Sequence, residues 1–335
     1  MTRLPSIDAL KFLLALGVVW AHSVLMGQHY STANYLVGQG LVRATVPTFA
    51  LVSGFLFHAT GRRGRTMPWL MIMTGAYLVW CLIYAPVWLV GEPDVLHVLG
   101  RLVVGPLHLW YMAALILAVL MIAAVLRLVP DPLAQRRWLL GSALGLALTG
   151  ATLQGIDFFT PVDLSLNLYR NGIFVEYPYA VLGFLLAGKI ERDGSDWMPG
   201  ALTLWLMLGF LAALRLGEAW LSLRAFGLSP AAPPEFPPLA MAFSVTLMMA
   251  MLRLDLPGWL RPLGKLSMAI YFLHYLVLLG ALSLGLTSLG TMMALGVAGP
   301  ILLTRLGSAI WREVKRHVRQ RQETGEAWAS PDWRR

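Results

Sequence analysis

A stripe of polar residues in the first long apolar segment constrains this chain most strongly. The segment includes the apolar run "FLLALGVVWA", yet it also carries Asp8, Lys11 and His22. Ionisable side chains are costly within a membrane and usually mark a functional path. Lys11 and His22 are eleven residues apart. On an α-helix that is about three turns, so the two share a face and lie roughly 16 Å apart. We therefore predict one polar route along the first helix.

The composition is that of a polytopic membrane protein. The chain has 335 residues, 58% of them hydrophobic and 13% charged, with a mean hydropathy of +0.67. A soluble globule is excluded by these values. The single cysteine, Cys81, lies in an apolar run, so we expect neither a disulfide framework nor a metal centre. The net charge of +9 is attributed to cytoplasmic loops rather than to binding of nucleic acid.

Ten apolar segments are long enough, or nearly so, to cross a membrane. They fall at about 7–26, 41–58, 68–90, 107–128, 138–155, 173–190, 200–220, 238–253, 264–284 and 287–306. A further stretch, 94–105, predicts an interfacial or re-entrant helix. The sequence thus predicts an all-α polytopic membrane protein of about ten helices, with a transmembrane domain at 1–310 and a basic tail at 311–335.

The distribution of basic residues predicts the orientation in the membrane. If the helices alternate from a cytoplasmic N-terminus, 20 of the 26 Lys and Arg residues lie inside and five outside, with Lys11 in the membrane. The five outside positions are Arg43, Arg101, Arg170, Arg215 and Arg224. Both termini are therefore expected in the cytoplasm. The tail segment "WREVKRHVRQRQ" is expected to form a basic helix on the anionic lipids of the inner leaflet.

His22 is the first candidate for chemistry. An imidazole in an apolar setting is expected to be neutral and able to accept a proton from a hydroxyl. The alternative is a histidine that only bonds a neighbouring helix. Asp8 and Lys11 on the same helix favour the functional interpretation.

A second group of candidates lies within the second segment and in the loop that follows it. Ser53 and Gly54 are small residues that allow close helix approach, and helix packing is the simpler interpretation of the pair. The loop after them holds Arg62, Arg63 and Arg65. Arginine forks suit phosphate oxygens. The alternative is that these arginines are only a topology signal.

Aromatic and polar residues form further candidates in later segments. The run "HLWYMAAL" places His108, Trp110 and Tyr111 near the outer interface, where an aromatic belt alone would explain the tryptophan and the tyrosine. In "LGKLSMAIYFLHYLVL", the i, i+4, i+7 spacing puts Ser267, Tyr271 and His274 on one face. That face indicates either a cavity or an interhelical hydrogen-bond cluster. Weaker candidates in the sixth segment are Glu176, Tyr177 and Tyr179.

Six pieces in this order resemble the acyltransferase 3 family of integral-membrane acyltransferases. They are "IDALK", His22, "LVSGFLF", "RRGRTMP", "HLWYM" and "YFLH". The resemblance runs from Ile7 to about Arg305. It implies about ten helices and transfer of an acyl group, often acetyl, from a cytoplasmic thioester to a hydroxyl. The family's arginine-x10-histidine pair falls on Lys11 and His22, and its cytoplasmic arginine pair on Arg62 and Arg65.

The resemblance implies a role for each candidate. Catalysis would involve His22, Lys11 and Asp8, while Arg62, Arg65 and Lys11 would bind acyl-CoA, with acetyl-CoA the favoured donor. The acceptor, a surface glycan or lipid-linked saccharide, would meet Ser53, His108, Trp110, Tyr271 and His274. Lysine at position 11 keeps the charge of the family's arginine but loses its planar fork. Lys11 would then contact the donor or pair with Asp8.

The predicted protein is a membrane-bound O-acyltransferase of the bacterial cytoplasmic membrane. Expected partners are membrane lipids, the saccharide acceptor and other enzymes of cell-envelope glycan synthesis. The rival class is a transporter or flippase of a lipid-linked saccharide, in which the same charged groups would line a pathway. No inverted repeat is evident in the sequence, which weakens that rival.

Overall fold

The fold, described here from a computed structural model, is built of helices. The structure describes residues 4–91, 94–227 and 234–323, and within these ranges no strand occurs. The helices, numbered in chain order, are α1 Pro5–Met26, α2 Thr32–Gly40, α3 Thr45–Arg62, α4 Thr66–Ile83, α5 Ala85–Trp88, α6 Val95–Val104, α7 Trp110–Leu128, α8 Pro132–Phe159, α9 Leu166–Tyr169, α10 Tyr177–Asp193, α11 Ala201–Arg224, α12 Ala240–Leu252, α13 Leu263–Ser283 and α14 Leu289–Glu323.

The all-α prediction is confirmed. Across the described ranges, nine helical segments are long and apolar enough to cross a membrane. The predicted segment 238–253 forms the shorter α12, whose 13 residues span about 20 Å of a hydrocarbon core about 30 Å thick. The stretch 94–105 forms α6, which is capped by the preceding residue Asp94 and buries none of its own residues.

Two glycines set the closest helix contact of the core. A Cβ atom on Gly54 of α3 would lie 1.9 Å from the Ala180 carbonyl oxygen of α10. Reciprocally, a Cβ atom on Gly183 of α10 would lie 1.8 Å from the Leu51 carbonyl oxygen. The helices can cross this closely only because both positions lack a side chain. Gly54 therefore serves packing, as the simpler interpretation of its motif predicted.

Helix α1 lies against α13 and α14, and this contact positions its polar stripe. Val19 of α1 and Ile270 of α13 are fully buried in one apolar cluster. Gly296 of α14 faces Val19 so closely that a Cβ atom there would lie 2.6 Å from its Cγ1. His22, about one turn beyond Val19, and His274, about one turn beyond Ile270, are thereby brought face to face.

A fully buried arginine joins α11 to α2. Arg215 donates from Nε to the Gly40 carbonyl (2.6 Å) and from Nη2 to the Gln39 carbonyl (2.8 Å). Its Nη1 atom lies 3.6 Å from a Glu218 carboxylate oxygen. The last carbonyls of a helix have no partner within that helix. Arg215 therefore supplies hydrogen bonds to the C-terminal carbonyls of α2, while its own charge is compensated by Glu218.

The last helix continues beyond the final apolar segment. α14 contains Pro300 and runs unbroken to Glu323. The predicted basic helix of the tail, from Trp311 onward, thus begins as an extension of α14. The remainder of the predicted tail, 324–335, lies outside the described residues.

Candidate functional site

Three histidines from distant parts of the chain meet at one place. The ring centroids of His22 and His274 are 4.9 Å apart, and those of His108 and His274 are 5.1 Å apart. The His22 and His108 rings lie 6.4 Å apart. His22 is on α1, His274 on α13, and His108 in the short turn before α7. Two residues predicted as substrate contacts therefore lie directly beside the predicted base.

The hydrogen bonds assign the tautomers of two of these rings. His274 Nδ1 lies 2.8 Å from the Ile270 carbonyl, and His22 Nδ1 lies 3.0 Å from the Val18 carbonyl. A carbonyl oxygen only accepts, so each Nδ1 carries the hydrogen and donates. In the neutral ring, Nε2 then carries the lone pair. His22 therefore presents Nε2 as a proton acceptor, as a general base requires.

A long contact joins the two rings directly. His274 Nε2, which bears a lone pair in this tautomer, lies 3.4 Å from His22 Nδ1. The His22 N–H group is thus shared between the Val18 carbonyl and His274. His274 is fully buried, so this second acceptor is held in place by packing. The effect is to restrain the orientation of the His22 ring.

His22 also lines a cavity of about 490 Å³. The wall is formed by the C-terminal part of α1, α2, the start of α3 and α7, the end of α8 and the segment 164–175. All these parts lie at the end of the bundle that the sequence predicts to face outward. Lys11 is not part of this wall. The cavity is of a size that holds a small molecule or one or two sugar rings.

His108 lies behind His22 in an aromatic cluster. It is 3% exposed, stacks on Tyr275 at a centroid distance of 5.2 Å, and meets the edge of Tyr84 at 4.9 Å. Tyr271 donates to the His108 carbonyl at 3.0 Å. Both ring nitrogens of His108 are buried without a hydrogen-bond partner in the described part of the chain. His108 is therefore enclosed by aromatic side chains inside the bundle.

Ser53 and the other residues of the α13 face have separate partners. Ser53 Oγ lies 3.1 Å from the Tyr111 hydroxyl, and the Tyr111 ring lies 5.8 Å from that of Tyr271. Ser53 thus joins the margin of the cluster rather than the cavity wall. Ser267 donates to the Gly264 carbonyl of its own helix at 3.0 Å. Of the predicted face, Tyr271 and His274 contact the site and Ser267 does not.

Lys11 and Asp8 form an ion pair near the start of α1. Lys11 Nζ lies 3.7 Å from an Asp8 carboxylate oxygen, and the Asp8 side chain is 6% exposed. The pairing that the sequence left open is thus present. Because α1 is unbroken from Pro5 to Met26, Lys11 and His22 keep the separation of roughly 16 Å expected of a helix.

Arg62 and Arg65 lie at the opposite end of the bundle from the cavity. Thr45 begins α3 beside Gly17 at the cavity, and Arg62 ends it. Eighteen helical residues extend roughly 27 Å. Both arginines are exposed, and Arg62 Nε lies 4.0 Å from a Glu191 carboxylate oxygen. The structure therefore separates the predicted phosphate-binding loop from His22 and leaves it open to solvent.

The sequence interpretation missed the charged part of the cavity wall. Glu235 contacts Arg43 Nη2, and its carboxylate lies 3.8 Å from Arg170 Nη1. Arg170 in turn lies over the Trp110 ring, 5.3 Å from its centroid. Trp110, predicted to contact substrate, thus does line the cavity. The sequence did contain one sign of this pair, since Arg43 and Arg170 are two of the five basic residues predicted to lie outside the cytoplasm.

Of the weaker candidates, Glu176 has the most unusual environment. It is fully buried at the end of the π-helical turn Gly172–Glu176, and neither carboxylate oxygen has a hydrogen-bond partner among the described residues. Tyr177 bonds Ser142 at 2.7 Å, and Tyr179 packs in the core. The two tyrosines therefore have structural partners.

Comparison with known protein families decides the class of the chain. Residues 4–305 match the family model acyltransferase 3, which is described as an acyltransferase domain. The chain belongs to the acyltransferase 3 family. No curated protein and no solved structure matches it. The family resemblance inferred from the six motifs is confirmed. The chain is therefore a membrane acyltransferase, and the histidine cluster beside the cavity is its candidate site.

Proposed function

We propose that this protein transfers an acyl group, with acetyl the favoured one, from acyl-CoA to a hydroxyl of a surface glycan or lipid-linked saccharide. The single observation that carries the proposal is the placement of His22. Its Nδ1–H group is held by the Val18 carbonyl, so its lone pair is on Nε2, and the residue lines a cavity open to a small acceptor.

The reaction follows from that arrangement. An acceptor hydroxyl in the cavity gives its proton to His22 Nε2 as its oxygen attacks the thioester carbonyl carbon. The C–S bond breaks, the thiolate of coenzyme A leaves, and the proton on His22 can pass to that sulfur. The products are an ester on the acceptor and free coenzyme A. During the step, the protonated ring still donates from Nδ1, so its orientation is retained.

The donor is proposed to enter from the end that carries Arg62 and Arg65. Their guanidinium groups are exposed and suit its phosphates. The separation of roughly 27 Å along α3 requires a long flexible donor, with its charged end at these arginines and its thioester near His22. Lys11 lies between the two ends on α1 and supplies a positive charge along this route. Both termini would then be in the cytoplasm of a bacterium.

The rival class, a transporter or flippase, is not favoured. Membership of an acyltransferase family accounts for the base beside a cavity, which a transport pathway does not need.

Mass spectrometry of surface glycans and lipid-linked saccharides tests the proposal. Cells with the protein should carry an acyl increment that is absent from cells without it and from cells that express His22→Ala at the same level. The mass of the increment identifies the acyl group, and the molecule that carries the increment is the acceptor. Identical spectra in all three strains would remove the proposed function.

A further inference from the structure

Two arginines in the outer cavity share one carboxylate. Arg43 and Arg170 both contact Glu235, as described above, and all three side chains line the cavity that His22 also lines. They come from the turn before α3, the segment after α9 and the segment before α12. Three distant parts of the chain therefore bring two positive charges and one negative charge to one wall.

The position of Glu235 is fixed by its backbone. The Gln154 side-chain oxygen of α8 accepts hydrogen bonds from the backbone N–H groups of Glu235 (2.5 Å) and Phe236 (2.9 Å). The preceding Pro234 carbonyl accepts from Gln39 (2.9 Å) and from Arg43 Nε (3.1 Å). Since Gln154 and Gln39 are themselves buried, the Glu235 carboxylate is held against the arginines by the fold.

The remaining acidic residue of the wall, Asp157, keeps its negative charge but forms no ion pair within 4.0 Å with either arginine among the described residues. Its two oxygens accept from the neutral Tyr169 hydroxyl (2.7 Å) and Leu164 N–H group (2.9 Å). Arg170 Nε is buried and has no hydrogen-bond partner within the described ranges. The trio of Arg43, Arg170 and Glu235 by itself thus carries one excess positive charge beside the cavity.

We propose that this trio binds an anionic group of the acceptor, a phosphate or a carboxylate. An arginine fork beside the Trp110 ring suits such a group, because it offers paired donors in one plane. With the anion held at Arg170 and Arg43, the neutral part of the acceptor extends toward His22 in the same cavity of about 490 Å³. The inference rests on the proposed function for the identity of this ligand as the acceptor.

Glu235 competes with the ligand anion for the same arginines. Removing its charge while keeping its shape, as in Glu235→Gln, should therefore strengthen anion binding. Removing the fork, as in Arg170→Gln, should weaken it. If the ion network is purely structural, the two changes should not have opposite effects on anion binding, since both would only lower the stability of the protein.

The test uses the full chain in lipid nanodiscs and follows its thermal unfolding with three probes: pyrophosphate, methyl glucuronide and the uncharged methyl glucoside. At least one anion should raise the melting temperature, and methyl glucoside should not. Arg170→Gln should weaken anion binding about tenfold or more, as expected for loss of a charged hydrogen bond. Glu235→Gln should tighten it severalfold. Arg224→Gln, a change at an exposed arginine outside the cavity wall, should bind as the native protein does.

The choice of probes separates the sources of the anion. Stabilisation by pyrophosphate alone indicates the phosphate of a lipid carrier, and stabilisation by methyl glucuronide alone indicates an acidic sugar. Stabilisation by methyl glucoside as large as that by the anions, no effect of either anion, or native-like anion binding by Arg170→Gln would each overturn the inference. If Arg170→Gln does not fold, anion binding by Glu235→Gln that is no tighter than that of the native protein overturns the inference.

Anion binding tests the proposed anion site, whereas acyl transfer tests the proposed role of His22 as the base. His22→Ala should bind the anion as before and lose acyl transfer. Anion binding together with undiminished transfer in His22→Ala would defeat the proposed chemistry and leave the anion site standing. If His22→Ala loses transfer but the native protein binds no anion, the proposed chemistry stands and the anion site is refuted.

Discussion

His274 and His22 are 252 positions apart in the chain, yet Nε2 of the first lies 3.4 Å from Nδ1 of the second. Because His274 Nδ1 is committed to backbone carbonyls of α13, its Nε2 can only accept in the neutral state. This relationship distinguishes the two residues. His22 lines the cavity, and His274 supports the His22 ring from behind.

Replacing His22 by alanine should lower acyl transfer by about 10²–10⁴-fold, the usual contribution of a positioned base. Membrane insertion and donor binding should stay near normal, because this side chain lies partly exposed at the cavity wall. The measurement is turnover of radiolabelled acyl-CoA by the purified protein. His317→Ala, at an exposed position of α14, is the matched control and should be fully active.

His274→Ala should reduce turnover less than His22→Ala does, since His274 orients the base and does not reach the cavity wall. If His22→Ala keeps most of its turnover while His274→Ala loses it, the base has been assigned to the wrong helix.

Lys11 is predicted to act as a positive charge on the donor route. Lys11→Arg should keep substantial activity and Lys11→Gln should lose most of it, with turnover again the measurement. The Asp8 ion pair makes Asp8→Asn the informative companion, because it removes the pairing while keeping the cation. Equal losses in Lys11→Arg and Lys11→Gln would instead show that the residue matters through its size or its pairing with Asp8.

The double change Arg62→Gln, Arg65→Gln should raise the apparent KM for acyl-CoA and leave the KM for the acceptor nearly unchanged. Each lost charged hydrogen bond corresponds to about 1.5–3 kcal/mol, or at least tenfold in affinity. Arg63→Gln in the same exposed loop is the control for general loss of positive charge. An unchanged donor KM in the double variant would reduce the loop to a topology signal.

Gly54→Ala should destabilise the protein through the crossing of α3 and α10. The new Cβ atom would meet the Ala180 carbonyl oxygen at 1.9 Å, so the helices must move apart. Overpacking of this kind costs about 1–3 kcal/mol, which should appear as a lower melting temperature in nanodiscs. Gly75→Ala on α4 has no atom within 4 Å of the added Cβ and should melt like the native protein. Equal melting of the two variants would contradict the packing role of Gly54.

The predicted orientation is tested with a reporter that is active only outside the cytoplasm. Fusions that end within 156–172 should be active, and a fusion at Arg335 should be inactive. Activity at the C-terminus would reverse the topology and remove the cytoplasmic donor site with it.

Much of the fold could be predicted from the sequence because membrane-length apolar segments are read from hydropathy alone. Helix α2 was not predicted, since its residues "TANYLVGQG" form a short segment that lacks that signal. The shared face of Lys11 and His22 followed from helical spacing. Their neighbours His108 and His274 could be named as candidates, but their contact depends on how α7 and α13 pack around α1.

The charged wall of the cavity could not be predicted from the sequence, for a different reason. Arg43, Arg170 and Glu235 lie far apart in the chain, and neither short motifs nor helix periodicity relate them. Their pairing depends on the path of the segments between helices. The only sign of a special role was that both arginines are predicted to lie on the outer side of the membrane, where basic residues are few.

The buried Arg215 has a consequence for how the protein is made. Although the charge count assigned Arg215 to the outside, the residue lies within α11, and an arginine inside a membrane helix is costly during insertion, by about 2.5–3.5 kcal/mol at the helix centre. Its acceptors, the carbonyls of Gln39 and Gly40, are synthesised about 175 residues earlier. Helix α11 should therefore insert poorly by itself and efficiently once α2 is already in place. The early helices thus act as a template during biogenesis, and a chain that lacks α2 should leave α11 outside the bilayer.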